Sequence, residues 1–530
     1  MPDNRPTLYW RGRRRQRARD WRGAAEAYLA ALPSETDEAA ADSAFRLGYA
    51  REKLNDLAGA RDAYAQAVEI APGTPIRHYR LGFVADALQE WELAARAYRA
   101  AIDAGGTVPN WFYRLGRALE RLRHWEAAGA AYAAAIRRSG NRPAWQTRLM
   151  RISVMTGDWR DVAALYPGRS GVLLDAPADA LTEEALRDAL ADGATDRERP
   201  AGWWQAAYMR LFNLGQLRAA YAAKRIAVRR SREDAAQGGT ARQRLDLAAA
   251  CIDQGDYAVA YSLLAGQPSE EAAEMAAGAA LLDGRPEEAA CLWRSVPADR
   301  AFRTLIEGRR VAIVGAANTG LEMGAEIDAA DVVIRTNYLN PDAIEARAAY
   351  TGRRTDIAYY NFAFEEKNRD RILSLLRVRP LDCVVLHPTG YKAAAARYRG
   401  VLPVRKHYGF RGFYGLTAYA IPRILYDVLR FRPAAVRVYN SDFFLGKDIH
   451  YSGYLKPEDF PDHDPDFVFM MGYHDILRNF LFTQILHRRG YCGGDSVFEA
   501  VMALSPDDFL DRMSLRVRAL LAASERAARP

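Results

Sequence analysis

Residues 311–337 read VAIVGAANTGLEMGAEIDAADVVIRTN. One apolar run ends in Gly315, an irregular stretch carries Asn318, Thr319 and Gly320, and a second apolar run closes on Arg335, Thr336 and Asn337. Short uncharged runs of this kind read as strands buried on both faces of an α/β sheet. A glycine turn leaving such a strand presents backbone N–H groups and a helix N-terminus to an anion. Two common forms of that turn do not fit. A dinucleotide fingerprint needs G-x-G-x-x-G and an acidic residue closing the second strand, whereas Gly315 is followed next by Gly320 and the strand closes on Arg335-Thr336-Asn337. A P-loop needs Gly-Lys-Ser/Thr after the turn, and none follows.

The same texture continues downstream. TDIAYYN (355–361), DCVVL (382–386) and VRVYN (436–440) predict further buried strands, separated by helical stretches. Six of the eight histidines fall beyond residue 380, which places the chemistry in this half.

Upstream the chain is alanine-rich and periodic. Gly48, Gly82 and Gly116 lie 34 residues apart, each after a leucine and each followed by Ala at +12, Tyr at +16 and Ala at +19. Gly12, Ala24, Tyr28 and Ala31 form a preceding copy with a shifted interval. The pattern resembles the tetratricopeptide repeat (TPR): paired helices with small residues where they cross and a tyrosine filling the space between them. Looser hairpins are signalled by GDW (157–159), LGQLRAAY (214–221), QGDYAVAY (254–261) and DGRPEEAACLW (283–293). The expected organisation is TPR-like repeats over 8–166, a degenerate TPR-like helical region over 167–297 and an α/β Rossmann-like domain over 308–525. A solenoid of this kind presents a surface for a protein partner.

The 530 residues carry a formal charge of +8, which favours anionic partners without specifying one. Four scattered cysteines without C-x-x-C pairing argue against a disulfide framework or a cysteine zinc site and fit a reducing cytoplasm. No signal-peptide core or bilayer-spanning apolar run is present in the sequence. The basic run RGRRRQRAR (11–19) reads as a solvated helix face, with peripheral contact to anionic lipid at the inner membrane face as the alternative. Nothing points to nucleic acid.

Taken in order, G-x-x-N-T-G (315–320), E-I-D (326–328) and V-I-R-T-N (333–337) resemble the large motif of the animal-type sialyltransferases. GFYGLTAYAIPRILYDVLRFRPAAVRVYNSDFF (412–444) is similar to that family's small motif, and His450-Tyr451 and His474-Asp475 follow in family order. The resemblance covers about residues 308–500. The chain departs from the family by two residues between Gly315 and Asn318, by Phe413-Tyr414, by Asn479 and by lacking the paired cysteines.

The resemblance implies an inverting glycosyltransferase that moves an acidic sugar (sialic acid, Kdo or a related nonulosonate) from a CMP-activated donor to a cell-surface glycan or lipid-linked acceptor. It implies no cofactor beyond the donor and no metal. Asn318, Thr319, Gly320 and Asn337 would hold the nucleotide, with Gly415 and Thr417 lining the second turn. His450, assisted by Tyr451, would stabilise the departing phosphate, and His474 would be the general base, oriented by Asp475 or Asn479. Two alternatives stand beside it. One is a non-catalytic TPR scaffold with a degenerate transferase domain. The other is a metal-dependent transferase using the D-x-D triplets of Asp462–Asp466.

Overall fold

A computed structural model describes residues 7–528 apart from 141, 167–170, 196–197, 238–239, 294–296, 389–390, 409, 411–417, 455, 457–470 and 473. The chain divides into two compact units, Met1–Ala176 and Pro177–Pro530.

The first unit is a stack of helical hairpins: Thr7–Arg17 with Trp21–Ala31, Asp37–Lys53 with Leu57–Ile70, Pro75–Ala87 with Trp91–Asp103, and Pro109–Arg121 with Trp125–Ser139. Proline opens Pro75–Ala87 and Pro109–Arg121 at the position where its missing N–H costs nothing. Asp20 and Asp56 cap the second helices of their hairpins through the amides of Gly23 and Gly59. The repeating glycine is explained by its tyrosine. A Cβ at Gly12, Gly48, Gly82 or Gly116 would fall 2.7, 2.7, 2.8 or 2.8 Å from the ring of Tyr28, Tyr64, Tyr98 or Tyr132. The copy at Gly12 therefore packs as the other three do, despite its shifted interval. Between neighbouring hairpins the same period sets an ionic ladder: Arg80 to Glu52 at 3.2 Å, Arg114 to Asp86 at 3.2 Å and Arg148 to Glu120 at 2.8 Å. The basic run lies largely on Thr7–Arg17, where Arg13 donates to Tyr9 and Arg15 pairs with Asp20.

The second unit begins with further hairpins at the places the sequence signals: Ala201–Asn213 with Leu217–Ala236, Ala241–Gln254 with Tyr257–Leu264, and Glu270–Leu282 with Pro286–Leu292. The sheet strands follow: β1 (Arg310–Val314), β2 (Val332–Thr336), β3 (Ile357–Tyr360), β4 (Cys383–Leu386), β5 (Val404–Lys406), β6 (Ala435–Tyr439) and β7 (Gly493–Gly494). The sheet has seven strands in the order β5-β4-β3-β2-β1-β6-β7. Every pair is parallel. β1, β2, β3, β4 and β6 are the five runs legible in the sequence, whereas β5 and β7 have only three and two residues and carry no periodic signal. The order winds outward from β1 to β5 and then reverses to β6 and β7. The reversal between β1 and β6 is a topological switch point, where crevices open at the carboxyl ends of the strands.

The texture change near residue 308 marks where strands begin, while the compact unit itself begins at Pro177. Within that unit the helices are tied to the sheet region by buried ion pairs. Glu274 pairs with Arg430 at 2.6 Å, Asp299 and Asp427 both hold Arg405, and Lys224 bonds Asp253 and Asp475.

Candidate functional site

The carboxyl end of β1 is drawn tightly against β6. Gly315 donates to the Tyr439 carbonyl at 2.8 Å and Ala317 to that of Asn440 at 3.0 Å. A Cβ at Gly315 would sit 2.3 Å from the Asn440 oxygen, so the approach requires glycine. This corrects one expectation. The first helix after the turn, Gly324–Asp328, has only five residues, and two turn amides are spent on β6, so the turn is not built as an anion-binding helix N-terminus.

Asn318, Thr319 and Gly320 follow the end of β1, and Asn337 follows the end of β2. Thr319 donates its hydroxyl to Asn440 Oδ1 at 2.7 Å. Asn318 is exposed, with Oδ1 accepting from Arg347 at 2.8 Å and Nδ2 donating to Asp448 at 3.3 Å. Gly320 takes a left-handed backbone with φ +71°. Asn337, at the end of β2, is also left-handed (φ +49°), held by its N–H to the Tyr359 carbonyl and by its Oδ1 accepting from Asn361. Non-glycine residues persist in that conformation where surrounding bonds over-determine them.

The segment carrying His450 and Tyr451 crosses over these strand ends. The Tyr451 amide donates to the Ala316 carbonyl at 2.8 Å, which pins the segment to the β1 turn. The Tyr454 hydroxyl shares a 2.7 Å bond with the Thr336 hydroxyl, and the His450 ring stacks on Tyr454 at 5.0 Å. The result is a cleft lined by Gly315, Arg335, Thr336, Asn337, Tyr451 and Tyr454, among others.

The E-I-D segment braces the elements around the cleft. The Asp328 carboxylate accepts from the amides of Arg353 and Arg354, each at 2.9 Å, and Glu326 accepts from the Tyr439 hydroxyl at 2.7 Å. The loop so held presents the carbonyls of Thr351 and Gly352 to the buried Arg335. Burial pulls the Arg335 guanidinium below its ordinary pKa, and burial raises Tyr451 against the opposing pull of Arg335 and Arg347. An arginine stays charged through such a shift.

His474 is positioned by a different group. Its ring lies 4.8 Å from Tyr419, which in turn contacts Phe444 at 4.9 Å. The residues expected to orient it are otherwise engaged. Asp475 caps helix Ile476–Arg488 through the Arg478 amide and pairs with Lys224. Asn479 accepts from the Tyr419 amide at 2.7 Å and donates to the His474 and Asp475 carbonyls. Both therefore fix the backbone around His474. Phe444 belongs to a turn after β6 in which Asn440, Phe443 and Phe444 all have positive φ, tied by the Asp442 carboxylate to the amides of Phe444 and Gly446.

Gly415, Thr417 and the D-x-D triplets lie outside the described residues. Among the described residues no group of three or more His, Cys, Asp or Glu is arranged to hold a metal ion. No described helix is long and apolar enough to cross a membrane. The four cysteines are free, and burial raises Cys383 and Cys492 to about 12. Sequence reasoning missed Arg347 and Asn440. Neither belongs to a quoted motif as a ligand, and their importance depends on contacts across 29 and 121 residues of chain.

No protein-family model matches the chain, and no curated protein matches it. Solved structures that are similar to it are TPR proteins. "MamA RS-1 ArsTM double mutant" aligns at 19% identity over 31% of this chain and 92% of its own, with a TM-score of 0.28. "Crystal structure of MamA protein" aligns at 14% over 45% and 98%, with a TM-score of 0.28. "First TPR of Spaghetti (RPAP3) bound to HSP90 peptide SRMEEVD" aligns at 19% over 23% and 98%, with a TM-score of 0.22. The repeat architecture of this chain rests on its own hairpins and glycine–tyrosine contacts, not on these scores.

Proposed function

We propose that this chain is a cytoplasmic glycosyltransferase that moves an acidic sugar from a CMP-activated donor to a glycan or lipid-linked acceptor, and that its TPR-like unit holds a protein partner. The observation that carries the reading is that Asn337 and Tyr451 line one cleft at the strand ends beside the β1/β6 switch point, with His450 stacked on Tyr454 of the same cleft and Thr319 bonded to Asn440 just after β6. In this reading the acceptor hydroxyl attacks the anomeric carbon while the bond to the phosphate oxygen breaks. CMP leaves with the electron pair, the configuration inverts and His474 takes the hydroxyl proton. His450 and Tyr451 offset charge on the departing phosphate. Met1–Ala176 holds 27 Lys and Arg against 20 Asp and Glu, so its excess of +7 is most of the chain's +8 and favours an acidic partner.

The test is thermal stability with CMP, UMP, GDP and NAD⁺, since a ligand that binds only the folded state raises its apparent stability. Selective stabilisation by CMP, followed by CMP release from a CMP-sugar that His474→Ala abolishes without loss of CMP affinity, is the expected result. Stabilisation by the other ligands alone would overturn it.

One observation favours a second reading, a binding protein without turnover: Asp475 and Asn479 serve the backbone around His474. Unchanged CMP binding with no release from any CMP-sugar would select it.

A further inference from the structure

At the ends of β1 and β2 two arginines, one lining the cleft and one stacked on its Tyr451, have no direct ion pair. Arg335 is 4% exposed and lines the cleft. Its Nε bonds the Arg354 carbonyl and the Thr355 hydroxyl, each at 3.0 Å, and its Nη2 bonds the carbonyls of Thr351 and Gly352. All four acceptors are neutral. Arg347 spends Nη2 on Asn318 Oδ1, while its Nε is buried without a hydrogen-bond partner. Its guanidinium carbon lies 5.3 Å from the centre of the Tyr451 ring and 5.1 Å from that of Tyr350. Among the described residues neither arginine has a carboxylate within ion-pair distance, unlike Arg310, Arg353, Arg354 and Arg405. Asp448 meets the other end of the Asn318 amide, so its link to Arg347 is through that amide and not a direct ion pair.

A buried cation left without a counter-charge is costly, and the cost falls when an anion completes the site. We propose that Arg335 in the cleft and Arg347, stacked on the Tyr451 that also lines it, form an anion seat that takes the single phosphate of a nucleoside monophosphate. This deepens the nucleotide reading above and rests on it. That reading set the departing phosphate against His450 and Tyr451. The geometry moves the principal charge contact to arginine and leaves Asn318 to orient Arg347. Phosphate suits the seat because a guanidinium offers paired donors to its oxygens, and because the cleft opens where the sheet order reverses. A free inorganic phosphate has the same chemistry, so the two sources need separate arms in the test.

The experiment titrates the full chain with CMP, cytidine and inorganic phosphate, in wild type, Arg347→Met and Arg347→Lys. Circular dichroism confirms that each variant folds. Arg347 is chosen because it is only partly buried, whereas Arg335→Met removes four hydrogen bonds and risks the fold. The expected result is that wild type prefers CMP to cytidine by about tenfold or more. Arg347→Met should bring CMP down to the cytidine level with cytidine affinity unchanged, and Arg347→Lys should keep part of the preference. If wild type prefers CMP and Arg347→Met preserves that ratio, the seat is overturned while the nucleotide reading stands. If phosphate binds and is lost in Arg347→Met but CMP binds no better than phosphate, the seat stands as a free-phosphate site and the nucleotide reading falls. No binding of CMP or phosphate overturns both.

Discussion

At the residue scale, the solenoid is specified by positions where only a small side chain or a left-handed backbone fits. Gly82 touches the Tyr98 ring so closely that a methyl group would lie 2.8 Å from it. Gly82→Ala therefore overpacks a crossing that cannot widen without moving both helices, and the expected loss is about 1–3 kcal/mol. The opposite sign is expected seven residues later. Arg19, Asn55, Gln89 and Arg123 occupy the same turn in successive hairpins, and each has a positive φ between 58° and 63°. Asparagine tolerates that conformation better than glutamine or arginine do. Gln89→Gly should therefore stabilise the hairpin by about 0.5–1 kcal/mol. Thermal unfolding of the two variants, followed by circular dichroism, should shift the midpoint in opposite directions. Equal shifts would show that the turn is not strained. These positions were legible because they recur at a fixed interval. Arg347 recurs nowhere, and its role depends on where Asn318 and Tyr451 arrive in space.

At the element scale, a strand was legible when its apolar run was long enough to stand out against helices. β1 and β2 are five residues each and almost wholly buried, and they were read from the sequence within a residue. β5 is the charged VRK, stabilised by the ion pairs of Arg405 rather than by an apolar pattern. β7 is two glycines, paired in parallel with Arg437 and Val438 of β6. The helix expected after the first turn shrank to five residues because Gly315 and Ala317 bond to β6 instead. The ends of β4 and β5 also place His387 and His407 5.0 Å apart, edge to face. Burial, with Arg423 next in order, depresses both: His387 to about 4, and His407 well below the ordinary imidazole value of 6.5, with His387 and Arg405 adding to the effect on His407. A base held neutral in the folded state gains protons on unfolding. Its stabilising contribution is thus present above the unfolded pKa, near 6.5, and is lost as pH falls towards 4. Stability should fall between those values by up to about 1.4 kcal/mol per pH unit for each histidine. Urea unfolding from pH 7 to pH 4 measures the slope. Replacing both by Gln should flatten it, and an unchanged slope would assign the acid sensitivity to other groups.

At the scale of the whole molecule, the alternation of strands and helices marks an α/β fragment beginning near residue 308, but the ion pairs argue for a start at Pro177. Arg430 has Glu274 as its partner at 2.6 Å, Asp475 is paired with Lys224, and Arg405 bonds Asp299 at 2.9 Å. The Trp293 indole donates to the Tyr426 hydroxyl at 3.1 Å, and Phe410 packs so closely on Gly278 that no Cβ would fit between them. A fragment of residues 308–530 would retain the sheet and nearly all the candidate site, yet would remove Glu274 from Arg430, Lys224 from Asp475 and one of its two carboxylates from Arg405. Breaking a buried pair from one side costs about 3–5 kcal/mol, and two or three such losses equal the whole stability of an ordinary domain, about 5–15 kcal/mol. Residues 308–530 should accordingly be insoluble or lack cooperative unfolding. Residues 177–530 should unfold cooperatively and keep whatever nucleotide response the full chain shows. Expressing both fragments and comparing their melting curves tests this directly: a soluble, cooperatively folded 308–530 would mean that the helices over 177–306 are an accessory layer and not part of the core that holds the site.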